Sequence, residues 1–74
     1  MAAGRRLRSS GMGSNAAELS SIRDAIDDIE RRLAGMARGY EGTEHEDVLA
    51  VLYEAERSLR AGRRHVERAE GLTR

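Results

Sequence analysis

The residues with most chemical potential form a line along the last third of the chain: Leu49, Tyr53, Arg57, Arg60, Arg64 and Arg68, at steps of four, four, three, four and four. On a helix these steps return to one face, so four guanidinium groups would stand in a row beyond an apolar foot. Planar guanidinium forks grip carboxylates and phosphates, which suits either an acidic protein face or a nucleic-acid backbone. Like charges one turn apart also repel, and Glu56 and Glu67 lie close enough along the helix to neutralise part of the row, with Arg63 expected to pair with Glu67. Charge runs of this kind are most often solvated or partner-facing.

Other candidate chemistry is weaker. His45 stands among Glu44, Glu46 and Asp47, yet neighbours on a helix point in different directions, so the four do not converge on one ion. The acids are better explained as first-turn residues that the helix dipole favours. His65 has Gly62 three residues before it, where a carboxylate-bridged bundle site would need Glu. Three of the six Ser residues fall in the first fourteen positions, and no Gly-rich phosphate loop leads into a helix. The sequence therefore predicts no catalytic residue, no metal, no cofactor and no small-molecule substrate.

Two apolar stripes must position whatever the chain presents. The first runs Leu19, Ile22, Ile26, Ile29, Leu33 and Met36, and the second Val48, Leu52, Ala55, Leu59, Gly62, Val66 and Ala69. Both alternate steps of three and four, the period of about 3.5 residues that packs helices side by side. Between them Gly39-Tyr40-Glu41-Gly42-Thr43 reads as a turn. The expected organisation is a flexible basic tail over residues 1–14 with Arg5, Arg6 and Arg8, a helical hairpin over 15–71, and a short C-terminal tail over 72–74. Within the hairpin, helix 1 spans about 16–37, the turn 38–43 and helix 2 about 44–70.

Capping boxes are expected at Asn15 with Glu18, where Ser14 is an alternative cap, and at Thr43 with Glu46. Asp27 with Arg31 and Asp28 with Arg32 have the acid-before-base spacing that supports a helix. Gly71 reads as a C-terminal stop. Counting outward from the turn places Ile29 and Ile26 near Leu52 and Ala55, and Ile22 and Leu19 near Leu59 and Gly62. Large residues then meet small ones, and a close backbone approach would compensate the low helix propensity of Gly62.

The fold class is therefore all-α, an antiparallel two-helix hairpin. A chain of 74 residues buries too little apolar surface to be comfortably stable by itself. Without Cys it has no disulfide to help, which fits a reducing, cytoplasmic setting. Thirteen Arg balance thirteen acids, so global charge attracts neither nucleic acid nor membrane, and no apolar run is long enough to span a bilayer. The stretch from Val48 to Tyr53 is apolar nearly all round, more than one partner helix can cover. A second surface is implied: two hairpins forming a homodimeric four-helix bundle, with Leu49, Val51 and Tyr53 at the added contact and Arg57, Arg60, Arg64 and Arg68 selecting partners.

Tyr40-Glu41-Gly42, in a loop between amphipathic helices of similar length, resembles the mid-chain Trp-x-Gly of the WXG100 helical hairpins, with Tyr for Trp. The resemblance covers most of residues 16–70. It implies an actinobacterial hairpin that dimerises into a four-helix bundle in a type VII secretion context. The family's export signal, Tyr followed four residues later by an acid after helix 2, is missing, because Arg57 stands four residues after Tyr53. The expected function is a non-enzymatic protein-interaction module that binds itself or a helical partner. The alternative is a small nucleic-acid-binding or regulatory protein using the Arg row and the basic tail.

Overall fold

A computed structural model describes residues 12–73. Two helices pack against each other: α1 over Met12–Tyr40 and α2 over Glu46–Leu72. Among the described residues there is no strand, and no helix is long and apolar enough to cross a membrane. The tail with Arg5, Arg6 and Arg8 lies outside the described residues, as does Arg74.

Helix α1 starts four residues earlier than expected and passes through Ser14 and Asn15, so neither closes its N-terminus. At its other end it continues through Gly35 and Gly39 to Tyr40, with Arg38 in the last turn, where the dipole favours a cation. The turn that follows is held by local hydrogen bonds. The Thr43 hydroxyl donates to the Tyr40 carbonyl at 2.7 Å and accepts from the His45 N–H at 3.1 Å. Thr43 therefore ties the two helix ends together instead of forming the expected capping box. Gly42 takes φ +76°, the left-handed conformation that costs a side-chain-bearing residue energy and Gly none.

Helix α2 begins at Glu46 after His45, whose side chain makes no capping bond. Glu46 and Asp47 occupy its first turn. It runs through Gly71 to Leu72, and the Thr73 N–H closes it on the carbonyls of Ala69 and Glu70 at 3.1 and 3.2 Å.

Two ion pairs fix the alignment of the helices. Arg23 Nη1 donates to Glu70 Oε1 at 2.8 Å, and Arg63 donates from Nε to Glu30 Oε2 at 2.5 Å and from Nη2 to Glu30 Oε1 at 3.3 Å. Ile29 thus lies about level with Gly62, not with Leu52 as counting from the turn suggests. The chain keeps climbing through residues 41–45, and the first turn of α2 stands beyond the end of α1. Every residue from Glu41 to Val48 is accordingly exposed.

The core is thin. Leu19, Ile26 and Leu33 of α1 and Leu52, Leu59 and Val66 of α2 are each only half-buried. Ala37 is the single buried apolar residue among those described, and no large side chain is fully enclosed.

Candidate protein-interaction surface

The hairpin does not use its apolar stripes as the spacing suggests. Leu19, Ile26 and Leu33 enter the helix contact, whereas Ile22, Ile29 and Met36 remain 40%, 42% and 55% exposed. The reason lies one position further along the repeat. Arg23, Glu30 and Ala37 follow those three residues, and α1 is rotated so that Arg23 and Glu30 meet Glu70 and Arg63 of α2 and Ala37 is buried. The rotation gains two part-buried ion pairs and turns every second residue of the stripe outward.

This gives the hairpin two unlike sides. Equivalent repeat positions of antiparallel helices lie on the same side of the pair, as Arg23 with Glu70 and Glu30 with Arg63 illustrate. The residues just before these on each helix, about 100° back around the cylinder, fall on the opposite side. There Ile22, Ile29 and Met36 of α1 stand beside Val48, Ala55, Gly62 and Ala69 of α2. Val48 is 36% exposed, and the other three are half-buried. One side is polar and closed by ion pairs; the other is apolar and uncovered.

Gly62 makes no close backbone contact within the hairpin. A Cβ built there meets nothing within 4 Å, which overturns the expectation of a tight approach to α1.

The residues expected at the outer contact are dispersed. Leu49 is half-buried in the first turn of α2. Val51 is strongly exposed on the rim of the apolar side. Tyr53 is exposed near the turn on the polar side and donates to Glu41 Oε2 at 3.2 Å. Partial loss of hydration, then that hydrogen bond and the charges of Glu41 and Glu56, raises its phenol pKa above the usual 10.0.

Arg57, Arg60, Arg64 and Arg68 all lie exposed along α2, and none has a carboxylate within ion-pairing distance among the described residues. The expected neutralisers act elsewhere. Glu67 pairs with Arg63 at 3.3 Å, and Glu56 leaves its Oε2 buried without a hydrogen-bond partner. The bond to Glu30, against partial desolvation and with the charges of Glu30, Glu67 and Asp27, holds the Arg63 guanidinium above its usual pKa. On α1, Arg31 pairs with Asp27, while no Asp28–Arg32 pair forms.

His45 packs edge-on to Tyr40 with ring centroids 6.2 Å apart, and His65 is exposed. Among the described residues no three potential metal ligands gather and no cavity opens. The surface that sequence reasoning missed is Ile22, Ile29 and Met36. Its signal was present: Arg23 and Glu30 are seven apart, Arg63 and Glu70 are seven apart, and the signs alternate.

No family model, curated protein or solved structure matches this chain.

Proposed function

We propose that this chain is a non-enzymatic protein-interaction module, a helical hairpin that associates with a second copy of itself or with a helical partner. The observation that carries the reading is the uncovered apolar side, where Ile22, Ile29 and Met36 stand seven residues apart on α1 beside a parallel row on α2. Apolar surface continuous along a helix pair marks an interaction site, unlike scattered exposed residues. The thin core gives a second reason, because a hairpin with no enclosed large side chain gains stability from any partner that covers that side.

Sedimentation equilibrium of the wild type against Ile29→Glu and Met36→Glu tests this. Both positions are exposed in the hairpin, so the helices should persist while association is lost. A wild type that stays monomeric at high micromolar concentration and pulls down no helical partner removes the reading.

A second reading rests on the four unpaired guanidiniums of α2. A nucleic-acid or regulatory binder using Arg57, Arg60, Arg64 and Arg68 would hold DNA or RNA with an affinity that falls steeply with salt. Loss of that binding in Arg60→Glu/Arg64→Glu supports it, and absence of retention at low salt excludes it. A type VII secretion context is the proposal that the Tyr40-Glu41-Gly42 turn adds; co-secretion with such an apparatus is its test.

A further inference from the structure

The apolar side can be assigned an occupant and an orientation, resting on the self-association reading above. We propose that it receives a second copy of this chain set head to tail, about a two-fold axis crossing both molecules at the level of Ile29 and Gly62. Ile29 is about level with Gly62 within one hairpin, so such an axis treats both helices at once. On α1 it places Ile29 against its own counterpart and Ile22 against Met36 of the other copy. On α2 it places Gly62 against Gly62, and Ala55 against Ala69.

The uncovered residues are accounted for by this arrangement. Val51 and Leu72, exposed by 63% and 80%, come level with each other across the axis, once at each end. Small residues at the midpoint of α2 let the two copies of that helix approach closely, which gives the open space at Gly62 a function that the single hairpin does not.

Charge selects the same orientation. Glu41, Glu44, Glu46 and Asp47 run through the turn with no Arg between them, while Arg64 and Arg68, which have no ion-pair partner within the hairpin, lie toward the opposite end. Stacking with both turns at one end would gather eight carboxylates. Head to tail, each acidic turn lies by the arginine-bearing end of its partner, and Glu54 of one copy comes level with Arg68 of the other. Neither has an ion-pair partner within the hairpin. A contact about 40 Å long and 20 Å wide covers roughly 800 Å² on each copy, the size of a stable interface.

The chain has no Cys, so Glu44→Cys, at an exposed turn position, accepts a single spin label per copy. Head-to-tail packing predicts an inter-label distance of roughly 50 Å, from about 1.5 Å of rise per residue on either side of the axis. Parallel stacking would give about 25 Å or less, and that result overturns the orientation while leaving self-association intact. A monomeric mass with no inter-label distance overturns both. As a second measurement, Gly62→Leu should retain full helix content but weaken dimerisation about tenfold or more by overfilling the contact. Unchanged dimer affinity in that variant overturns the placement of the axis. The dimer should also loosen as salt rises; tightening with salt contradicts the charge pairing.

Discussion

Glu56 shows how much one side chain can cost in so small a structure. Its Oε2 is buried without a hydrogen bond where its counterparts one and two repeats along, Arg63 and Glu70, each meet an opposite charge. Burying a polar atom without a partner costs about 1–3 kcal/mol. Glu56→Met, similar in length and without charge, should therefore stabilise the hairpin by roughly 1 kcal/mol in urea unfolding. Truncating a satisfied partner should do the reverse: Glu30→Ala strands Arg63 and is expected to destabilise by roughly 1–2 kcal/mol. Tyr53 gives a pH signature. Its raised folded-state pKa means that the folded chain holds the phenolic proton more tightly than the unfolded chain. That contribution is intact below the unfolded value of 10.0 and disappears as pH rises through the folded one. In a Tyr40→Phe background, ultraviolet titration should place the Tyr53 midpoint above 10.0, and Glu41→Gln should move it back down.

At the scale of elements, the two helices and the turn were legible because their signals are local. Apolar spacing, paired acids and bases, and Gly at a tight reversal require no knowledge of the partner helix. What the sequence left obscure was rotation about the helix axis. A stripe with large residues at alternating steps of three and four can face one neighbour, or be divided between two, and period alone cannot distinguish these. Arg23 and Glu30 decide in favour of division, because their partners on α2 are forty-seven and thirty-three residues away. Capping was misread for a related reason: the Thr43 hydroxyl is closer to the Tyr40 carbonyl than to any donor of α2 that it was expected to cap. The glycines separate by the same logic. Gly42→Ala should cost about 1 kcal/mol, since its backbone is left-handed. Gly62→Ala should raise the helix content and stability of a monomeric variant such as Ile29→Glu by roughly 1 kcal/mol, as the new methyl meets nothing.

At the scale of the whole molecule, the hairpin is a slab 52 × 27 × 14 Å with dissimilar broad sides. A slab one helix thick has no interior in the usual sense, so much of each core residue remains in contact with solvent. Its thermal midpoint should accordingly climb with protein concentration, by mass action, wherever a second copy covers the apolar side. Arg57 and Arg60, exposed and away from the end that meets the partner's acidic turn, stay available to an acidic ligand whether or not the apolar contact is made.

The order of signs in the cross-helix ladder also determines what the hairpin refuses to become. If α1 slid by one repeat to shorten the climb at the turn, Arg23 would confront Arg63 and Glu30 would confront Glu56. The misaligned form is thus penalised by repulsion at two places, independently of anything the connecting segment does. That segment is relieved of setting the alignment. Residues inserted between Glu44 and His45 should leave Arg23 facing Glu70, whereas reversing the sign of Arg63 alone should let the helices slip past one another.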